Sequence, residues 1–378
     1  MLPRARHEYL LRQLELHGSI RASAVADDLG VSQVTVRRDI SELDAKGLLA
    51  QVHGGALPVR SATSKPSAAR TLIGVVVPSA TFYYPEVLAG MEAVAPRLRT
   101  RLVLGFSNYR PDVERARVER LLALGAEGLV LTPTIDRDQP DDLAAWLESI
   151  PVPVVLMERR VDDSRLVREL DSVRTDHMHG ALLAVDHFVR LGHRRIALAI
   201  FDGTPTARWV RAGYEEAVDH LGLEPGPVAI LPNGTEDEED TAALGRAVDE
   251  LIESCLERRI HAVLAHSDFH ATQIVEIAHL RGLRVPEDLA VISYDDVIAE
   301  HAAVPLTAVT PPRRELGRES LRLMAGRVGS PDQPGAPRHV QLLPQLTVRE
   351  SCGATEATAA TAADGKSGAS RSSRAPKA

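Results

Sequence analysis

The hydrophobic positions beyond residue 71 form short continuous runs separated by longer amphipathic stretches. Runs such as LIGVVVP at 72–78 are typical of strands that are buried on both faces of a parallel sheet. The stretches between them repeat apolar residues at helical spacing. We predict strands at 72–78, 101–105, 128–132, 153–157, 195–200, 227–231, 261–265 and 289–293, and helices at 85–98, 111–124, 140–149, 177–191, 207–221, 240–258 and 270–281.

This alternation stops after the strand at 153–157 and restarts with the helix at 177–191. Alternating strands and helices predict doubly wound parallel sheets, and two such runs predict an α/β domain of two similar lobes. Ligands bind at the carboxyl ends of the strands in open sheets of this kind. We therefore expect a ligand site in the cleft between the lobes.

The first 57 residues follow a different, mostly helical pattern. We predict helices at 4–16 and 22–29, and a third helix from the N-cap Ser32 to about Lys46. The buried face of the third helix is predicted to hold Val36, Ile40 and Leu43, while its other side presents Gln33, Val34, Arg37 and Arg38. A polar, arginine-bearing helix of this kind can reach bases and phosphates in the major groove.

A short strand pattern, LLAQVHGGA, follows the third helix and is interrupted by two glycines. Successive glycines permit the tight turn of a wing that lies close to DNA. The alternative is a small helical domain whose arginine pair is merely solvated. Spacing alone leaves both interpretations open.

The stretch GVSQVTVRRDISELDAKGLLAQVHGGA resembles the winged helix-turn-helix of DeoR-type regulators. The resemblance covers residues 4–57, although Gln51 stands where that family usually has arginine. It implies that the first domain, residues 1–57, binds double-stranded DNA. The DNA contacts that the resemblance implies are Ser32, Gln33, Thr35, Arg37 and Arg38 in the helix, and His53 and Gly54 in the wing.

The second half of the body contains GHRRIALAI, RAGYEEAV and GLRVPEDLAVISYDD, which resemble the sensor domain of LacI-type regulators. That domain is similar in turn to periplasmic sugar-binding proteins. The resemblance covers residues 72–350 and implies a two-lobed, periplasmic-binding-protein-like fold with a small-molecule effector, expected to be a carbohydrate, in its cleft.

The effector contacts that the resemblance implies lie at strand ends: Tyr83, Tyr84, Thr132, Glu158, Ser267, Asp268 and Asp295. The family's ligand-clamping arginine is replaced by Val210, and the flanking Arg208 or Arg211 could substitute for it. Each assignment has a structural alternative. Asp295 could belong to a plain turn, the tyrosines could pack the lobes together, and Glu158 could pair with a neighbouring arginine.

Composition and charge agree with a DNA-binding head on an acidic body. The net charge is −8, yet residues 1–60 carry nearly equal numbers of basic and acidic groups. We expect no catalytic constellation, no cofactor and no metal site, because no recognised motif occurs and the pair His266 and His270 has no evident third ligand. The two cysteines do not suggest a disulfide framework. The chain shows no membrane span or signal peptide, so we expect a cytoplasmic protein.

These patterns predict a DNA-binding transcription regulator, with repression relieved by a sugar as the expected logic and a homodimer as the expected assembly. A cytoplasmic solute-binding protein and an α/β enzyme acting on a sugar are the alternatives. Residues 58–71 read as a linker without a hinge helix, so we expect coupling through the spacing of the heads. Residues 351–378 read as a disordered, low-complexity tail.

Overall fold

The computed structural model describes residues 6–7, 9–11, 13–14, 20–29, 31–46, 48–52, 55–57, 70–134, 140–159, 170–201, 203–234, 237–329 and 335–354. The chain forms two compact units, residues 1–69 and residues 70–378, which are considered separately. In the part of the chain that is described, no helix has the length and apolar composition that crossing a bilayer requires.

The first unit is a small helical domain with a three-stranded antiparallel sheet. The described residues between 6 and 14 are helical. They are followed by β1 (Ile20–Arg21), α1 (Ala22–Leu29), α2 (Gln33–Ala45), β2 (Ala50–Val52) and β3 (Gly55–Leu57). The sheet order is β1-β3-β2, so the wing hairpin gains a third strand that the hydrophobic pattern did not predict.

The core of this unit confirms the predicted inner face of α2. Val36, Ile40 and Leu43 are buried beside Leu10 and Val25 from the preceding helices. Their burial explains why a helix with so many charged residues folds, because one apolar stripe is enough to hold it against its neighbours.

One charged residue of α2 is also buried. Asp39 accepts hydrogen bonds from Arg6 Nε at 2.7 Å and Arg6 Nη2 at 3.0 Å, and His7 Nε2 lies 3.3 Å from it. The hydrophobic pattern assigned Asp39 no role. Its ion pair joins the first helix to α2 across the core, which fixes the orientation of the face that α2 exposes.

The second unit alternates strands and helices as predicted. Its elements are β4 (Thr71–Val77), α3 (Tyr84–Val94), β5 (Thr100–Phe106), α4 (Pro111–Ala123), β6 (Gly128–Leu131), α5 (Pro140–Ser149), β7 (Val154–Met157), β8 (Asp171–Thr175), α6 (His177–Arg190), β9 (Arg195–Ile200), α7 (Ala207–His220), β10 (Glu224–Ile230), α8 (Glu238–Glu257), β11 (Ala262–Ala265), α9 (Asp268–Leu280), β12 (Ala290–Tyr294), β13 (Thr307–Thr310), α10 (Arg313–Val328), β14 (His339–Leu342) and β15 (Gln345–Thr347).

These strands form two six-stranded sheets, which confirms the two-lobed α/β prediction. The first sheet has the order β14-β8-β7-β6-β4-β5 and the second the order β10-β9-β11-β12-β13-β15. All pairings in the two sheets are parallel except that of β13 with β15. The chain changes lobes after β8, after β13 and again after β14, so each lobe is built from separate parts of the sequence.

Helix α10 is a large element that the sequence analysis did not predict. It begins after β13 in the second lobe and packs on α3 of the first. The two helices approach so closely that a Cβ on Gly317 would lie 1.9 Å from Val87 O, and one on Gly90 would lie 2.0 Å from Arg314 O. Glycine at both positions is therefore required by the contact.

The prediction of a disordered tail from residue 351 onward includes residues that are ordered. Ser351 and Cys352 are buried, and the Ser351 hydroxyl donates to Val291 O at 2.6 Å and accepts from Thr307 N at 2.9 Å. A small polar side chain can be buried when backbone groups satisfy it, which composition alone does not reveal. The prediction for residues 351–354 is thus wrong, and residues 355–378 lie outside the described part of the chain.

Candidate functional site

The candidate DNA-contacting surface begins at the N-cap of α2. Ser32 has an extended backbone and its hydroxyl accepts a hydrogen bond from Thr35 N at 3.2 Å. The Thr35 hydroxyl lies 2.9 Å from the same oxygen. Both predicted contact residues therefore help to start the helix, which does not prevent a hydroxyl from reaching a phosphate.

The remaining predicted residues of α2 are exposed. Gln33, Arg37 and Arg38 project away from the core, and Val34 between them is 75% exposed. The Nε atom of Arg38 lies 3.4 Å from Glu42, one turn further along. Guanidinium groups on such a helix can bind phosphates or the edge of guanine. The predicted wing residues His53 and Gly54 lie outside the described residues.

The second candidate site is a cavity of about 110 Å³ between the lobes of the second unit. It lies beyond the carboxyl ends of strands from both sheets, which is where ligands bind in open α/β folds. Its lining residues are Tyr83, Tyr84, Tyr109, Glu158, Arg159, His177, Thr204, Thr206 and Asp295. Four of the nine predicted effector contacts are therefore brought together here.

Glu158 is the most strongly bonded acid of the cavity. Its carboxylate accepts hydrogen bonds from the Tyr83 hydroxyl, from Thr175 Oγ1 at 2.6 Å and from Thr175 N at 3.0 Å, and His177 Nε2 lies 3.5 Å away. Burial by itself would raise the pKa of Glu158. His177, Thr175 and Tyr83 together outweigh burial and lower that pKa to about 2. Glu158 is thus an ionised acceptor held in one position.

Asp295 behaves in the opposite way. Burial and the nearby Asp268 carboxylate raise the pKa of Asp295 to about 7. The loop that carries it is held by Arg313, which donates to the carbonyl oxygens of Asp295 and, at 2.9 Å, of Asp296. The cavity therefore presents one permanently charged carboxylate and one that can exchange a proton near neutral pH.

Asp268 and Ser267 were predicted to contact the effector, but they do not line the cavity. Asp268 is buried and accepts hydrogen bonds from Ser293 Oγ at 2.7 Å and from the backbone of Val297 and Ile298 at 2.6 and 3.0 Å. Ser267 caps α9 by accepting a hydrogen bond from His270 N at 3.3 Å. Asp268 positions the loop after β12, and Ser267 starts the following helix.

Three further predicted contacts also lie outside the cavity lining. Thr132 is completely buried. On α7, Arg211 is paired with Glu215 at 2.8 Å, and Arg208 stacks over the ring of Trp209 at 4.7 Å. Neither arginine lines the cavity, and whether either one substitutes for the family's clamping residue stays a prediction. Successive helical residues lie about 100° apart, so Arg208, Val210 and Arg211 project from α7 in different directions.

The sequence analysis missed Tyr109, Arg159, His177, Thr204 and Thr206, all of which line the cavity. Arg159 was considered only as an ion-pair partner, although it follows Glu158 at a strand end. His177 was given no role, yet it begins α6 where the chain crosses between the lobes. A search for polar residues one to six positions beyond each predicted strand could have found most of the five.

An unusual backbone conformation also marks this region. Eight non-glycine residues of the described chain have positive φ, and six of them follow strands that end at the cleft: Phe82, Asn108, Tyr109, Glu158, Asp295 and Asp296. Such residues cost free energy and persist where the surroundings hold them, which happens most often at binding sites. Their clustering supports the cavity as a functional site on grounds independent of residue type.

Two buried histidines extend the cavity wall. His266 Nε2 lies 3.2 Å from the Thr206 hydroxyl, and burial lowers the pKa of His266 to about 3. Tyr294 stands between His266 and His177, with ring centroids 6.3 and 5.8 Å away. In the part of the chain that the structure describes, no group of three histidine, cysteine or acidic side chains could hold a metal ion.

The comparisons with known proteins agree with this division. Residues 6–62 match the DeoR-like helix-turn-helix domain, and residues 185–352 match the periplasmic binding protein-like domain. The arabinose metabolism transcriptional repressor of Geobacillus stearothermophilus is 27% identical over 86% of this chain and 89% of its own length.

Solved structures give the same result. The complex of the transcriptional regulator CelR with cellobiose is 25% identical, with a TM-score of 0.62 over 84% of this chain and 90% of that one. A LacI family transcriptional regulator from Mycobacterium smegmatis is also 25% identical, with a TM-score of 0.57 over 74% of this chain and 98% of its own.

Together the domains and their relatives define the class of protein: a DNA-binding transcription regulator. Within that class, this chain joins a DeoR-like helix-turn-helix domain to a periplasmic-binding-protein-like sensor domain of the kind found in LacI family regulators. The relatives reported above are transcription regulators and not enzymes.

Proposed function

We propose that this regulator is a repressor whose operator binding is controlled by a small carbohydrate effector in the interlobe cavity. The observation that supports this most directly is the set of polar side chains from both lobes around one cavity. The ionised carboxylate of Glu158 holds Tyr83 and Thr175 in place beside the cavity, and the hydroxyls of Thr204 and Thr206 can both donate to and accept from a sugar.

The size of the cavity favours a compact effector. Its volume of about 110 Å³ is well below the roughly 300–1,000 Å³ typical of pockets for drug-sized ligands. Tyr109 is 57% exposed at the edge of the cavity, so it is the aromatic ring best placed to pack against a sugar face. Tyr84 is almost fully buried and serves mainly to pack the first lobe.

Effector control requires that the ligand bind one arrangement of the lobes more tightly than another. The cavity meets this condition because its walls come from two separate sheets, so a ligand that contacts both walls stabilises their closed arrangement. Typical coupling between an effector site and a second site is about 1–3 kcal/mol. We infer that the protein acts in the cytoplasm as a homodimer on a two-fold-symmetric operator.

On DNA, we propose that Gln33, Arg37 and Arg38 enter the major groove, with Ser32 and Thr35 near the phosphates and His53 and Gly54 in the wing. The exposed, largely solvated side of α2 supports this assignment. The connecting residues 58–69 lie outside the described part of the chain, and coupling through the spacing of the two heads remains our proposal.

A titration of the full-length protein on its own promoter DNA tests the proposal. Neutral sugars, sugar acids and nucleosides would be added singly to a fluorescence-anisotropy assay, and at least one should release the DNA. Glu158→Gln should abolish release and keep operator affinity, because one accepting oxygen becomes a donor and the hydrogen bonds that hold Tyr83 or Thr175 beside the cavity are lost. Glu119→Gln, on an exposed face of α4, is the matched control and should respond like the natural protein. Release that is equally strong in Glu158→Gln would argue against the cavity.

A further inference from the structure

Arg159 is a charged residue of the cavity, and the described residues satisfy only part of its hydrogen-bonding capacity. Its side chain is buried, with 7% exposure. One terminal nitrogen donates to Glu158 O at 3.0 Å, and the other lies 3.5 Å from the Tyr84 hydroxyl. The Nε–H group has no hydrogen-bond partner, and no carboxylate of the described residues forms an ion pair with this guanidinium.

Two other charged groups at or near the cavity, Glu158 and Arg313, are already engaged by neighbours. The Glu158 carboxylate accepts hydrogen bonds from Tyr83 and Thr175, and it lies 3.5 Å from His177 Nε2. The Arg313 guanidinium donates to two carbonyl oxygens below the cavity. Among the described residues, Arg159 is therefore a buried cation that forms no ion pair with a carboxylate, although Glu114 is near enough to interact with it electrostatically. A buried charge without a contacting partner is costly.

We propose that the effector is an acidic sugar derivative whose carboxylate is bound by Arg159. This inference rests on the proposed function, namely that the interlobe cavity holds the effector. A guanidinium presents parallel N–H groups that match the two oxygens of a carboxylate, and this recognition is both strong and geometrically selective. A neutral sugar would leave the Nε–H group without an anionic acceptor.

The rest of the cavity fits the remainder of such a molecule. Thr204 and Thr206 provide hydroxyl groups from the second lobe, opposite Arg159 of the first. Asp295, with its raised pKa of about 7, repels an anion less than an ordinary aspartate would. A volume of about 110 Å³ favours a single-ring uronate or a short aldonate over a larger acidic oligosaccharide.

Calorimetric titration of the full-length protein can test this with matched pairs of probes. D-glucuronate and D-galacturonate would be compared with D-glucose and D-galactose, and D-gluconate added as an open-chain acid. We expect at least one acid to bind about 100-fold more tightly than its neutral partner, as loss of a charged hydrogen-bonded contact implies.

Variants at Arg159 separate charge from geometry. Arg159→Gln should remove the preference for the acid, and Arg159→Lys should retain part of it because the charge remains without the planar fork. Arg97→Gln, an exposed arginine on the same lobe, is the control and should change nothing. Melting temperatures of the unliganded variants establish that each is folded.

The possible outcomes distinguish the two proposals. A neutral sugar that binds as tightly as its acid, or an acid preference that survives in Arg159→Gln, would overturn the acidic effector. If such a neutral sugar also releases operator DNA, the proposed function stands. If no carbohydrate of either kind binds the protein or releases DNA, both proposals are contradicted.

Discussion

The exposed face of α2 and the interlobe cavity are both proposed binding sites, yet they are built in opposite ways. On α2, Gln33, Arg37 and Arg38 extend into solvent, and Arg38 forms an ion pair with Glu42 on the same helix. In the cavity, Glu158 has its hydrogen-bonding capacity occupied by neighbours before any ligand arrives. The first site is formed by exposed side chains of one helix, whereas the second is formed by side chains packed between the lobes.

This difference follows from what each partner demands. DNA presents a dense row of phosphates, and releasing their counterions supplies affinity to any well-placed cation. Long solvated side chains are sufficient for that purpose. A small effector offers few contacts, so its site gains affinity from groups that are fixed in advance. The comparison implies that the face of α2 can be changed without affecting stability, whereas the cavity cannot.

The largest effect is expected from removing both arginines of α2. Arg37→Ala combined with Arg38→Ala should weaken operator binding about 1,000-fold, or roughly 4 kcal/mol, because each guanidinium contributes about 1–3 kcal/mol. The salt dependence of binding should become shallower at the same time. Fluorescence anisotropy at several salt concentrations measures both quantities.

The same double variant should keep its melting temperature and its effector affinity, because neither arginine packs against the core of the first unit. Arg97→Ala in the second unit is the control for the loss of an exposed arginine and should bind the operator normally. If the double variant unfolds more easily than the natural protein, then the two arginines contribute to the stability of the first unit. The proposed difference between the exposed and the packed site would then be wrong.

A smaller effect, on stability rather than binding, is expected at Asp268. Asp268→Ala would leave the Ser293 hydroxyl and the N–H groups of Val297 and Ile298 without their acceptor. Unsatisfied buried donors cost about 1–3 kcal/mol each, partly offset by relaxation of the loop, so we expect a total loss of about 3 kcal/mol. Thermal unfolding of the second unit provides the measurement.

Asp219→Ala, at an exposed position of α7, serves as the control for that loss. The two aspartates separate a positioning role from general charge removal. If Asp268→Ala unfolds like the control while effector release fails, then Asp268 contacts the effector directly. That result would favour the contact implied by the resemblance over the positioning role inferred from the structure.

The same contrast explains what the sequence could predict. The strands and helices of the lobes follow from hydrophobic runs, and the buried face of α2 follows from Val36, Ile40 and Leu43, because burial imposes a period on the sequence. Exposed DNA-binding side chains occupy the other positions of that period. This part of the molecule can therefore be predicted from local sequence patterns.

The set of residues that line the cavity depends instead on which strand ends lie next to each other in the fold. Local sequence patterns do not specify this arrangement. Asp268 and Asp295 both follow a strand in the sequence, yet only Asp295 lines the cavity. Asp268 is turned toward the neighbouring loop because Ser293 and two backbone N–H groups lie within reach. Helix α10 was missed because its surface is highly charged and its buried stripe is narrow.

The smallest expected effect is a dependence of stability on pH that originates at Asp295. The pKa of Asp295 is raised from 3.8 to about 7 by burial and by Asp268. The folded protein therefore binds more protons at this site than the unfolded chain between about pH 4 and pH 7. Ionising Asp295 costs stability, so its contribution to the free energy of unfolding falls as the pH rises through that interval.

Asp295→Asn removes the ionisation and keeps the shape of the side chain. Relative to the natural protein, this variant should be more stable by on the order of 2 kcal/mol at pH 8, with the advantage largely gone at pH 4.5. Asp219→Asn, exposed on α7, should show no such trend. An advantage that is constant across the pH range would mean that the carboxyl group is not held neutral by the cavity. A pH-dependent advantage would show that the two carboxylates of one small site are kept in different states of charge, which no exposed surface such as that of α2 can achieve, because water screens its charges.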